Sequence, residues 1–162
     1  MSALVTENAA EFRDALPDGG VLIGLDLGTK TIGVATCDAG WAFATAGKTL
    51  PKGKFGRDKA ALAEIVTARR AAGMVIGLPL NMDGSSGPRA QASRAFARNI
   101  AADDSGLGLP VLLWDERWST AAAERDMIAA DTSRRKRAER IDSHAAAVIL
   151  QGAIDRLAGG FL

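Results

Sequence analysis

Val21–Cys37 reads VLIGLDLGTKTIGVATC, two apolar runs rich in β-branched residues on either side of Gly28-Thr29-Lys30. That pattern predicts a hairpin, with strands over Val21–Leu27 and Thr31–Cys37. Asp26 stands inside the first of these strands, where a charge is costly unless it has a partner or a function. Strand alternation puts it on one face with Gly24 and Gly28, neither of which has a side chain to crowd it. An Asp that only organises the following turn accounts for the same local sequence.

Downstream of the hairpin, a weaker strand is expected over Ala42–Leu50. A helix follows over Arg57–Ala72, with Leu62, Ile65 and Val66 at helical spacing. Met74–Leu78 (MVIGL) has the form of a short buried strand. It runs into a loop from Pro79 to Pro88 dense in turn residues. Pro88 suits the first position of a helix, on which Phe96 and Ile100 make an i,i+4 apolar pair. Val111–Asp115 (VLLWD) is another buried strand. A helix capped by Ser119 or Thr120 is expected to about Ala130, and a last one from about Ile141, lined by Ala145, Val148, Ile149 and Gly152. Three antiparallel strands, then alternating helices and strands, make an α/β chain. The expected sheet is mixed and five-stranded, three strands antiparallel and then two parallel, with helices on both faces. Residues 1–20 read as an extension holding at most a short helix.

The chain has 162 residues and a hydrophobic content of 48%, enough for one ordinary domain with its own core. One cysteine, Cys37, cannot form an internal disulfide, as fits a reducing compartment. The opening MSALVTENAAEFRD lacks the basic and apolar runs of a signal peptide. No run approaches the roughly 20 apolar residues of a membrane helix. A cytoplasmic protein is the expectation.

A net charge of +1 argues against an all-over basic nucleic-acid binder, yet the charge is unevenly spread. Residues 1–20 carry four acids against one arginine. Residues 131–140 carry Arg134, Arg135, Lys136, Arg137 and Arg140 against two acids. Such a stripe can bind phosphate while the average stays neutral, or be a solvated surface. Lys30, in the hairpin turn, has the same two readings.

Two further carboxylates stand at element ends. Glu116 follows Asp115 at the end of a buried strand, and period-two geometry sends the two to opposite faces. Asp142 is expected to open the last helix, where an acid is also an ordinary dipole-stabilising choice. Carboxylates so placed have a shared use, since Mg²⁺ and Mn²⁺ prefer oxygen ligands. A pair of such ions can activate water and stabilise the leaving oxygen in phosphodiester cleavage.

Four segments carry a resemblance. GLDLGTKTIGVATCD (Gly24–Asp38), VIGLPLNMDGSSGPRA (Val75–Ala90), DERWSTAAAE (Asp115–Glu124) and RIDSHAAAVILQ (Arg140–Gln151) resemble, in order, the motifs of the YqgF family, also called RuvX. That family is described as Holliday-junction resolvases and pre-16S rRNA nucleases. The similarity spans about Leu22 to Leu157. It implies a ribonuclease H-like fold, with Asp26, Glu116 and Asp142 as catalytic acids and ligands of Mg²⁺ or Mn²⁺, two ions in all. It also implies trimming of the 5′ end of precursor 16S rRNA, with four-way DNA junctions as the other candidate substrate. Two positions depart from the family pattern: Thr31, where arginine is common, and Trp118, where the residue is usually aliphatic.

Lys30 and the Arg134–Arg137 stretch are the expected nucleic-acid contacts, and Trp118 is a candidate for stacking on a base. His144, the only histidine, is not the expected base. The rival readings are an ATP-binding phosphotransferase, suggested by the DLGT turn, and a non-catalytic RNA- or ribosome-binding factor. The phosphotransferase reading is disfavoured because its fold relatives bind nucleotide between two such domains. Precursor rRNA and the ribosome are the expected partners, for a monomer or weak dimer.

Overall fold

The computed structural model describes residues 2–17, 19–102, 107–118 and 134–159, with backbone only for 118 and 134–142. Six strands form one mixed sheet: β1 (Val5–Thr6), β2 (Leu22–Leu27), β3 (Thr31–Cys37), β4 (Ala44–Pro51), β5 (Gly73–Leu78) and β6 (Val111–Asp115). The helices are α1 (Ala9–Ala15), α2 (Phe55–Arg69), α3 (Pro88–Ala101) and α4 (Arg134–Gly159), with a 3-10 turn at Glu116–Trp118. Spatial order is β1-β6-β5-β2-β3-β4. β2, β3 and β4 pair antiparallel, while β5 pairs parallel with both β2 and β6.

The expected hairpin forms, and the Gly28 N–H donates to the Thr31 carbonyl at 2.9 Å. The expectation of five strands needs correction. Val5 and Thr6 add a sixth, parallel to Val111 and Leu112 of β6. A two-residue strand is too short to show alternation, which is why the pattern gives no sign of it. The short helix expected in residues 1–20 is α1, capped by Asn8, whose side chain accepts from the Glu11 N–H.

The two faces of the sheet are covered differently. Ile23, Leu25 and Leu27 of β2, with Ile76 and Leu78 of β5, pack with Leu62 of α2 and Phe96 and Ile100 of α3. On the other face, Leu22, Val75, Leu112 and Trp114 meet Phe12 of α1 and Ala146, Ile149, Leu150 and Ala153 of α4. By strand alternation Gly24 and Asp26 belong to this second face.

A second correction concerns the last helix, which already includes Arg134 rather than beginning near Ile141. The basic run is helical because Arg and Lys are good helix formers, and its polarity merely hides the helical period. Asp142 therefore lies about two turns inside the described helix and does not open it. The helix expected between Ser119 and Ala130 lies outside the described residues. No described helix is long and apolar enough to cross a membrane.

Candidate active site

The chain's progress reverses between β2 and β5: the connection after β2 goes to β3 on one side, and β5 leads to β6 on the other. In open α/β sheets the crevice outside the carboxyl ends of such strands is where ligands bind. Asp26 sits near the carboxyl end of β2 and is only 3% exposed. Leu25 pairs with Ile76, so Asp26 and Gly77 are next-door neighbours on the α4 face.

Gly77 explains how a second acid comes close. An added Cβ there would lie 2.9 Å from Oε1 of Glu116 and 2.7 Å from Cδ1 of Ile149. The glycine thus leaves the space that the Glu116 carboxylate and α4 occupy together. Gly24 does the same one step back, where a Cβ would meet Cβ of Leu150 at 2.7 Å and the Ala146 carbonyl at 3.1 Å. Small residues let the helix approach closely and keep the strand ends open beside the carboxylates.

Asp142 belongs to α4, and its side chain lies outside the described residues. Its neighbour Ser143 is described: Ser143 Oγ and Thr49 Oγ1 share a hydrogen bond of 2.5 Å. Thr49 pairs with Gly33, and Gly33 with Asp26, so the contact ties this turn of α4 to the row of the sheet that holds Asp26. About two turns farther along the helix, Gln151 accepts from the Ala44 N–H at 2.8 Å and donates to the Ala42 carbonyl at 3.0 Å. These contacts lay α4, with the backbone of Asp142 in it, along the face of the sheet to which Asp26 belongs.

Asp115 is engaged elsewhere. It pairs in register with Leu78 on the opposite face and accepts from Arg117 Nη2 at 2.8 Å and from the Arg117 backbone N–H at 2.9 Å. Burial by itself would raise the Asp115 carboxyl, but the Arg117 hydrogen bonds and charge outweigh it and hold it below the usual carboxylate range. Arg117 also donates to the Met82 carbonyl at 3.2 Å. This fastens a loop already closed by Gly84 N–H to the Asn81 carbonyl and Asn81 N–H to the Ser85 carbonyl. Sequence reasoning misses this latch, although Arg117 stands inside the DER motif.

Among the described residues no three His, Cys, Asp or Glu side chains form a metal-binding group. The donor chemistry nonetheless suits a hard divalent cation, since Asp26 and Glu116 offer oxygen alone. Gly77 is the cradle that a side chain would fill. Lys30 is exposed in the β2–β3 turn, and its carbonyl accepts from the Lys52 N–H at 2.9 Å. The side chains of Trp118, Arg134, Arg135, Lys136 and Arg137 are outside the described ones. His144 is half-buried on α4. Buried Cys37 has its thiol pushed up by desolvation, so it is an unreactive core residue.

The comparisons with known proteins decide the family. The model of "RuvX: Holliday junction resolvase" matches residues 20–156. The chain belongs to the RuvX family. A relative from Novosphingobium aromaticivorans, named "Putative pre-16S rRNA nuclease", is 65% identical over 156 residues, 96% of this chain and 98% of its own length. A relative of the same name from Sphingopyxis alaskensis is 64% identical, covering 95% and 99%. The solved structure of T. thermophilus RuvC in complex with a Holliday junction substrate matches with a TM-score of 0.52 at 15% identity, over 83% of this chain and 93% of that one. This likeness speaks for the fold, which is ribonuclease H-like. The family and fold are of nuclease type, placing this RuvX chain with the phosphodiester-cleaving hydrolases.

Proposed function

We propose that this RuvX chain is a metal-dependent nuclease of the cytoplasm that matures the 5′ end of precursor 16S rRNA in ribosome biogenesis. One observation carries the catalytic part. The Glu116 carboxylate lies over Gly77, the neighbour of Asp26 in the sheet register, and Ser143, the residue after Asp142, bonds Thr49 in the row of the sheet that holds Asp26. The names of the closely similar relatives support the choice of precursor rRNA.

In this reading Asp26, Glu116 and Asp142 hold two divalent cations, Mg²⁺ or Mn²⁺. When bound, such ions supply an activated water and stabilise charge on the leaving oxygen. The protein contributes carboxylates fixed on a strand, a strand end and a helix, rigid supports that keep donors in place. Lys30 stands two residues after Gly28, in the turn that follows β2. From there it meets substrate phosphate beside the same crevice.

Arg134, Arg135, Lys136 and Arg137 belong to the helix that carries Asp142. Arg135 precedes Asp142 by roughly two turns, or about 10 Å along the axis. A basic run at that distance can follow a substrate backbone while the acids act on one phosphodiester. Trimming an RNA end needs a single site, so a monomer or weak dimer suffices, whereas paired cuts in a junction call for a two-fold dimer.

The test is cleavage of a precursor 16S rRNA fragment and of a four-way DNA junction at matched salt, each with Mg²⁺ or Mn²⁺ and with excess chelator. Shortened RNA that disappears with chelator is the expected result. Paired symmetric nicks in the junction with the RNA untouched would promote the resolvase reading, which the family description favours. Binding of RNA without cleavage under either metal would leave a non-catalytic binding factor. Replacing the four basic residues by alanine should flatten the log affinity–log salt slope by roughly 0.7 per lost contact on single-stranded RNA.

A further inference from the structure

Across the sheet from the carboxylates lies a cleft of about 170 Å³, lined by Leu27, Gly28, Thr29, Lys52, Arg89 and Ser93 among others. It has room for roughly six water volumes. Lys52 Nζ donates to the Gly28 carbonyl at 3.1 Å, and Arg89 Nη2 to the Leu27 carbonyl at 3.2 Å. The two cationic groups are thereby fixed against consecutive residues at the end of β2, immediately after Asp26.

Their partners set these cations apart from other arginines nearby. Arg94 is paired with Glu7 and Arg117 with Asp115. Among the described residues Lys52 and Arg89 have no carboxylate partner, only neutral carbonyls. An ammonium has three N–H donors and a guanidinium five, so one carbonyl each leaves most of them for a ligand. Two fixed positive charges in one cleft without a counter-charge favour an anion.

We propose that this cleft holds a backbone phosphate of the nucleic-acid substrate, next to the phosphodiester that is cleaved. The inference rests on the nuclease reading and adds to it a subsite on the α3 side of the sheet. Asp26 and Leu27 are consecutive and face opposite sides of the sheet. A strand laid over the end of β2 therefore meets the carboxylates on one side and Lys52 and Arg89 on the other.

The experiment replaces Lys52 and Arg89 by glutamine, singly and together. Glutamine keeps an N–H donor for the carbonyls and removes the charge. Binding of a labelled single-stranded RNA is measured against salt without catalytic metal, and KM and kcat with it. Each replacement should flatten the log–log salt slope by about 0.7 and raise KM, with kcat held within about twofold. The charge-preserving pair Lys52→Arg with Arg89→Lys should restore slope and KM. If the unaltered protein cleaves RNA while the double glutamine variant keeps its slope and KM, the cleft is only a structural brace and the subsite is overturned alone. An unaltered protein that neither binds nor cleaves nucleic acid overturns the nuclease reading and the subsite with it. Circular dichroism of the variants separates unfolding from loss of contact.

Discussion

The two faces of β2 are built for different ends. Toward α2 and α3 the strand presents Ile23, Leu25 and Leu27, all buried in a continuous apolar cluster. Toward α4 it presents Leu22, Gly24 and Asp26, and the neighbouring strand adds Gly77. One face maximises buried apolar surface, and the other gives it up to admit a close helix and two carboxylates. In the proposed function the same short strand carries both core and chemistry, and its faces should respond to substitution in opposite ways.

The largest expected effect is on the α4 face. In the proposed site, Asp26→Asn removes a negative ligand with almost no change in volume. Loss of several kcal/mol of transition-state stabilisation corresponds to a fall in kcat on the order of a thousandfold or more. Stability should hold or rise, because acids clustered for function commonly cost stability. Cleavage assays beside thermal melts check this, and near-normal cleavage would remove Asp26 from the site.

Leu25→Ala tests the opposite face. Leu25 is fully buried, and such truncations cost about 2–5 kcal/mol through lost burial and a residual cavity. Urea unfolding should register that loss, while specific activity well below the transition stays close to normal. A large fall in activity of the folded variant would mean that the faces are not independent.

Gly77→Ala should strike both properties. The added methyl overlaps Ile149 and Glu116, and overpacking of this kind costs about 1–3 kcal/mol. Displacing Glu116 should lower kcat as well. Equal losses of stability for Gly77→Ala and Gly24→Ala, but a loss of kcat only for Gly77→Ala, would separate helix packing from carboxylate placement.

Much of this contrast is legible in the chain. The VLIGLDL pattern announces a buried strand with a misplaced acid, and alternation correctly puts Asp26 with Gly24. The divergence of Asp115 and Glu116 follows from the same period of two. Pairings between distant segments are not written locally. Thr49 with Ser143 and Lys52 with Gly28 depend on how β4 and α4 register against the sheet. Val5–Thr6 gives no signal because two residues carry no period. The start of α4 is hidden because a basic run lacks the apolar rhythm that normally marks a helix. The grouping of Asp26, Glu116 and Asp142 comes from the four motifs together, since none of the three residues points to the others by spacing.

The smallest expected effect separates two adjacent acids on opposite faces. Asp115 is spent on Arg117, whose bonds hold its carboxyl below the ordinary range despite the opposing effect of burial. A carboxyl with a depressed folded-state pKa contributes stability that is fully present above its unfolded value, about 4, and is lost as pH falls through the folded value. The contribution should therefore be constant from neutral pH down to about 5 and fade in stronger acid. Asp115→Asn removes it, so its urea midpoint should lie below that of the unaltered protein at neutral pH and approach it under acid conditions. Glu116→Gln leaves the Asp115–Arg117 pair intact and serves as the comparison variant on the α4 face. Curves for Asp115→Asn and the unaltered protein that stay parallel into acid would show that the Asp115–Arg117 pair adds nothing to the fold, leaving the Arg117 contact with the Met82 carbonyl as the restraint from this side chain on the loop.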